Sequence, residues 1–331
     1  MSAMREKFGD ISLVYIGRTP TVVLSRFSVI KEALVHAGVE FAGRPTVPVF
    51  DWIIHGLVKC HCGHLSGRLE SESQWDLRIK KLVLFISMLG IGLSGVPVSE
   101  SCGWGQVWQK SDPETTFFEE NLFMTIADLF LAGTDTTATT LRWGLLYLSQ
   151  DPEVQERCHQ EIVREVGYDR PPSLKDKDRL PNVEATIREI QRVGNIAPIC
   201  VPRQVTKDTE LCGYTLPKGT QVFCNLSSML CDKDHWKFPD QFKPVNFLDD
   251  QGRFCKRETF IPFGTGLRVC PGEQLARLEL FVYFSVLLQR LEFIWPDGTG
   301  TPDLAGSFGL LRTPLPFQVI CQSRDTTGQS K

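Results

Sequence analysis

The sequence predicts a mainly α fold with a smaller β part. The first sign is apolar spacing near 3.6 residues per turn over 116–150, about 151–166, 182–193 and 273–291. The second is a set of short β-rich runs, at 14–16, 21–24, 203–206, 210–211 and 221–225, with Gly and Pro between them. The third is composition: 331 residues, 42% hydrophobic and 23% charged, an ordinary globular balance with enough chain for a large core.

Each element has local reasons. In the pair of runs 14–16 and 21–24, the turn lies at 17–20; Val29, Ile30, Ala33 and Leu34 then give helical spacing over 27–37. The long helix is entered through Glu119 and Glu120, acids that suit the positive end of a helix. Asp151-Pro152 supplies an N-cap and a first-turn proline for the next helix, and Gly167 its C-cap. Gly213 and Pro217-Lys218-Gly219 supply turns between the short strands, and paired strands are expected at 309–320.

Composition also excludes some functions. The formal net charge is −3, so no basic field points to nucleic acid. Eleven cysteines, an odd number without disulfide-like spacing, point to buried thiols in a reducing environment. Residues 1–10 are polar and contain no apolar core of a signal peptide. Residues 57–107 show no steady period. Within them, 82–98 is apolar but short and broken by Gly90, Gly92, Gly95 and Pro97, so a buried or disordered segment is expected there rather than a membrane helix. Cys60-His61-Cys62 with His64 fits no common zinc spacing.

Three constellations bear chemistry. Phe263, Gly266, Arg268, Cys270 and Gly272 fall in one ten-residue window just before a helix. A helix N-terminus offers unpaired N–H groups and a positive dipole end, both of which favour a thiolate. Gly266 and Gly272 allow tight turns and close approach of a flat ligand, Arg268 suits a carboxylate, and Phe263 can shield the sulfur. Upstream, Ala132-Gly133-Thr134-Asp135-Thr136-Thr137 sets an acid beside hydroxyls in mid-helix, where Gly133 lets the helix kink or widen. Glu189 and Arg192 place opposite charges at i, i+3 on one helix face.

Together these resemble the cytochrome P-450 family: Phe-x-x-Gly-x-Arg-x-Cys-x-Gly at 263–272, the Gly-x-Asp-Thr-Thr motif around Asp135 and Thr136, and Glu-x-x-Arg at 189–192. The likeness covers roughly 8–56, including Phe41-Ala-Gly-Arg-Pro45, and 108–322, and is of the vertebrate microsomal family-two type. It implies a P-450 fold lacking the membrane anchor and much of the middle helical region. On that plan 1–56 is the N-terminal sheet and first helices, 57–107 an unmatched segment, 108–322 the haem-binding half and 323–331 a tail.

The resemblance further implies haem b with Cys270 as axial ligand to iron. Arg268 and Arg203 would hold its propionates, with Phe263 and Gly272 beside the sulfur. Asp135 and Thr136 would manage protons and oxygen, while Glu189, Arg192 and Asn246 form a structural triad. Asn246 stands where the family carries Arg or His, so a weaker triad is expected. The apolar segments 196–201 and 309–311 correspond to substrate contacts. The implied activity is insertion of one atom of O2 into a lipophilic substrate, in xenobiotic or lipid metabolism. Electrons would come from NADPH through NADPH–cytochrome reductase on the cytosolic face of the endoplasmic reticulum membrane. The chain departs from the family in one readable way: none of its seven tryptophans has Arg four residues on. With the anchor and the helices that roof the pocket also unmatched, the competing expectation is a truncated, catalytically inactive haem-binding form, soluble or mislocalised.

Overall fold

The computed structural model describes residues 2–45, 119–309 and 311–324. The chain divides into two units, 1–45 with 131–331, and 46–130. Of the second unit only 119–130 is described, as helix. Residues 57–107, including the apolar run 82–98 and Cys60 to His64, lie outside the described residues, as does most of the tail.

In the first unit α1 spans Ser2–Phe8 and leads into the strands β1, Ile11–Ile16, and β2, Thr19–Leu24. Helix α2, Phe27–Lys31, continues as one wider π turn over Glu32–His36. The long helix α3 runs Glu119–Gln150, and α4 covers Pro152–Glu165. At the start of α4 the Asp151 carboxylate accepts from the Val154 N–H at 3.1 Å, the cap expected from Asp-Pro. Gly167 lies at φ +78 just past its end. Helix α5, Pro181–Gly194, is buried on nearly every face.

Four short strands follow: β3, Arg203–Gln204; β4, Thr209–Leu211; β5, Tyr214–Leu216; and β6, Gln221–Cys224. Next come α6, Leu226–Leu230, and the last long helix α7, Glu273–Arg290, with β7, Leu291–Ile294, directly behind it. Strands β8, Ser307–Phe308, β9, Arg312–Thr313, and β10, Ile320–Ser323, close the chain. The expected closing pair at 309–320 is thus two pairs, β8 with β9 and β10 with β7. Helix α1 and strands β5 and β7 were not expected; they are short, and β7 carries no turn signal before it.

The main sheet has the order β1-β2-β6-β3. Strand β2 pairs with β6 in parallel, Thr21 opposite Gln221 and Leu24 opposite Cys224, across about two hundred residues of chain. One apolar core lies under this sheet, with Leu24, Ile30, Leu34, Phe41, Val222 and Met229. A second core joins α3, α4, α5 and α7 through Trp143, Leu146, Ile162, Ile190, Phe281 and Phe284. Gly144 sets how closely α3 and α7 approach: a Cβ there would lie 2.1 Å from the Phe284 ring, so any side chain would push the helices apart.

One buried carboxylate gives the fold an acid-sensitive joint. Arg170 donates to both oxygens of Asp176 at 2.7 Å, and Ser173 and Arg179 add further hydrogen bonds. Chiefly through Arg170, these hold the Asp176 carboxyl well below the usual carboxylate range. The folded chain therefore resists protonation where the unfolded chain, titrating near about pH 4, does not. The joint's contribution is in place above that pH and is lost as the pH falls below it. Thermal midpoints followed down through the acid range should drop less steeply in Asp176→Asn than in the native sequence. Parallel curves would remove this joint from the account.

Candidate functional site

The cysteine loop is placed by backbone fit. Gly266 opens a short 3-10 turn, Gly266–Arg268, at φ +75. A Cβ there would fall 1.8 Å from the Leu34 carbonyl oxygen, so glycine is required for both conformation and contact. The close approach seen at Gly266 is to the chain's own backbone at Leu34. Gly272 also differs from expectation: its φ is −86, open to any residue, and a Cβ would lie 3.9 Å from the Cys270 sulfur. Its smallness leaves room beside the sulfur.

Cys270 stands just before α7, and its N–H donates to the Phe263 carbonyl at 3.0 Å. The nearby N–H groups of Gly272 and Glu273 favour its charged form and lower its pKa, and the Glu273 N–H donates to the Cys270 carbonyl at 3.4 Å. Burial outweighs them and pushes the thiol up. The helix terminus alone thus does not give the expected thiolate; a bound cation would supply the remaining charge. Phe263 is half-buried and covered by the Arg277 guanidinium, 5.1 Å from its ring centre.

Three arginines converge near this loop. Arg203, at the start of β3, is buried rather than solvent-facing, and its Nη2 donates to the Thr265 carbonyl at 3.4 Å. Its Nε is buried without a hydrogen-bond partner among the described residues. Leaving such a group unpaired costs about 1–3 kcal/mol, and more when it is charged. Arg268 donates from Nε to the Ala42 carbonyl at 2.9 Å, tying the loop to residues 41–45. Arg44, which the sequence reading left without a role, donates to the Val201 and Pro202 carbonyls at 3.1 and 2.8 Å.

These residues fit a haem. A propionate would satisfy the Arg203 Nε, the two N–H groups would hold charge on the sulfur, and exposed Leu267 and Val269 flank Cys270 with apolar surface suited to a flat ring.

The oxygen-side motif lies on an unbroken stretch of α3, with no kink or widened turn at Gly133. The expected free space is present, because a Cβ on Gly133 would meet nothing within 4 Å. Thr136 donates its hydroxyl to the Ala132 carbonyl at 2.7 Å, and Asp135 is exposed. No hydrogen bond joins either side chain to the cysteine loop among the described residues. Their helix is instead tied to α7 by the neighbouring Thr137, whose hydroxyl donates to Glu279 at 3.4 Å.

The expected charge pair is central to the packing. Glu189 and Arg192 are fully buried and joined by two hydrogen bonds, of 2.7 and 2.8 Å. Arg192 also donates to the carbonyls of Leu230, Phe238, Pro239 and Gln241. Asn246 takes the third place expected of it: its amide donates to Glu189 at 3.0 Å and its carbonyl accepts from the Phe238 N–H at 3.1 Å. Burial nevertheless pushes the Glu189 carboxyl up.

A residue not anticipated, Arg312, organises the C-terminal hairpin. It donates to the carbonyls of Val193 and Gly194 at 2.8 and 2.6 Å and lies 4.3 Å from the Trp143 ring centre. A lone arginine between apolar residues was its only sequence signal. Beside the start of α7, a cavity of about 780 Å³ is lined over Phe254 and Phe260 by Lys256, Arg257 and the pairs Arg188–Glu184 and Arg277–Glu273.

The family model described as Cytochrome P450 matches residues 1–59 and 105–321. Cytochrome P450 2U1 of Mus musculus is 50% identical over 216 residues, 65% of this chain and 41% of that protein. Cytochrome P450 2D15 of Canis lupus familiaris is 47% identical over 215 residues, 65% of this chain and 43% of that one. A zebrafish cytochrome P450 structure with abiraterone superposes with a TM-score of 0.80 at 27% identity, covering 98% of each chain. In sequence, the chain spans about two-fifths of the length of the curated relatives it matches.

Proposed function

Because the chain belongs to the cytochrome P450 family, we propose that it is a haem-thiolate monooxygenase that hydroxylates a lipophilic organic substrate. The observation that supports this most is Cys270 just before α7, its loop folded back by the bond from its N–H to the Phe263 carbonyl, with the buried Arg203 Nε without a partner among the described residues beside the same loop. When bound, haem b supplies the redox chemistry that splits dioxygen, one atom entering the substrate and the other leaving as water.

The protein's own residues have separable tasks. Cys270 ligates iron, and the N–H groups of Gly272 and Glu273 hold the charge on its sulfur. Phe263 and Gly272 shape the space beside that sulfur. Arg203 and Arg268 hold the propionates. Thr136 must release the Ala132 carbonyl before its hydroxyl proton can be offered to oxygen, and exposed Asp135 passes protons in from water. Glu189, Arg192 and Asn246 hold the segment 238–246 against α5. The apolar segment 196–201, with Gly309 and Leu311, faces the substrate, which is of lipid or xenobiotic type.

The electron donor is NADPH–cytochrome reductase. A net basic docking face suits an acidic partner, and the cavity beside the start of α7 offers one through Lys256 and Arg257, while Arg188 and Arg277 there are paired with Glu184 and Glu273. The setting is the cytosolic face of the endoplasmic reticulum membrane. Among the described residues no helix is long and apolar enough to cross a membrane. The competing reading, an inactive haem-binding form, draws no support from an assembled cysteine loop and core triad.

Turnover with reductase, NADPH and isotopically heavy dioxygen tests the proposal. The product of an apolar substrate should gain one heavy oxygen atom. Oxygen drawn from water, or no product from a haem-loaded chain, would overturn it.

A further inference from the structure

Two cysteines with no part in the proposed oxygen chemistry face each other. Cys200 is the penultimate residue of the segment 196–201, and Cys224 ends β6. Ile199 and Asn225 form an antiparallel bridge, which sets Cys200 opposite Cys224 on the next pair. The Cys200 N–H donates to the Cys224 carbonyl at 3.0 Å, and the Cys224 N–H donates to the Cys200 sulfur at 3.2 Å. Directly opposed antiparallel residues have Cα atoms about 4.5–5.5 Å apart. That lies inside the roughly 4.4–6.8 Å that a disulfide spans.

We propose that Cys200 and Cys224 are a thiol–disulfide pair, closed by hydrogen peroxide and reopened by cellular thiols. The Cys200 thiolate attacks peroxide, breaking the O–O bond to leave a sulfenic acid and hydroxide. The Cys224 sulfur then attacks the Cys200 sulfur. The S–O bond breaks, and the leaving oxygen departs as water with the Cys224 proton. In sum, two thiols and one peroxide give one disulfide and two waters: the thiols lose two electrons and the peroxide gains them.

The environments assign the order. Cys200 is partly accessible, and its sulfur is held below the usual thiol range, first by the Cys224 thiol, then by the Cys224 N–H and the nearby charges of Arg203 and Arg44. Cys224 is fully buried, out of reach of peroxide, so it resolves rather than attacks. Cys158 shows the contrast. It is equally buried but bonds to the Thr186 hydroxyl, and burial pushes it up to about 12, an inert thiol. In a reducing compartment, disulfides of this kind are transient and redox-sensing.

Treat the full haem-loaded chain with limiting hydrogen peroxide, block free thiols under denaturing conditions, and map peptides by mass spectrometry without reductant. Cys200 and Cys224 should lose their free thiols together, one for one, in a single cross-linked peptide that dithiothreitol separates. In Cys224→Ala the cross-link should vanish and a dimedone-reactive sulfenic acid should appear at Cys200. Recovery of both as free thiols while exposed Cys212 or Cys321 is oxidised would overturn the proposal. So would linkage of Cys200 to any other cysteine.

Discussion

Arg192→Ala is expected to unfold the chain or leave it barely folded. Removing one partner of a buried, hydrogen-bonded ion pair costs about 3–5 kcal/mol. In a domain of this size each kcal/mol shifts the melting temperature by about 2–4 °C, against a total stability of roughly 5–15 kcal/mol. The cost belongs at the upper end here, because the loss reaches beyond Glu189. Four backbone carbonyls, of Leu230, Phe238, Pro239 and Gln241, lose their donor together. Lysine cannot rescue them, since a single ammonium lacks the planar fork that reaches both carboxylate oxygens and the carbonyls on either side. Arg192→Lys should therefore melt well below the native chain. Circular dichroism melts of the three proteins decide it. A shift under about 2 °C for Arg192→Ala would mean that the pair is worth no more than an exposed one.

Cys270→Ala is expected to abolish monooxygenation while sparing the fold. The side chain is partly covered but belongs to none of the apolar cores, and its own N–H bond to the Phe263 carbonyl survives the substitution. Product formation should fall to the rate of haem free in solution, because no other thiol stands in the loop. The melting temperature of the haem-free protein should stay close to native. Retained turnover would move the iron ligand elsewhere, and a collapsed melt would make Cys270 a structural residue.

Much of this architecture was legible in the sequence because its signals are local. Asp151-Pro152 capped a helix where expected, and the cysteine window fell before a helix as its composition required. Other features are set by distant partners and have no local signature. Gly266 was legible as a turn glycine, but its contact with the Leu34 carbonyl, more than two hundred residues away, was not. Glu189 and Arg192 read locally as a common surface pair; only the resemblance said that they are buried, and the surrounding carbonyls supply the physical reason. The burial of Arg203 was likewise invisible, because it is set by β3 and the Thr265 carbonyl, some sixty residues downstream. Arg312 was invisible because its acceptors, at the end of α5, are over a hundred residues upstream. The preference of Cys270 for its thiolate was overestimated. Helix N-termini lower a thiol pKa, but the opposing cost of burial is a property of the assembled site.

The central claim is that this chain holds haem through the Cys270 sulfur. The direct measurement is the absorption spectrum of the purified haem-loaded chain, reduced and saturated with carbon monoxide. A strongly red-shifted Soret band, absent in Cys270→Ala, is predicted. A band typical of a neutral ligand, or no haem retained, would contradict it.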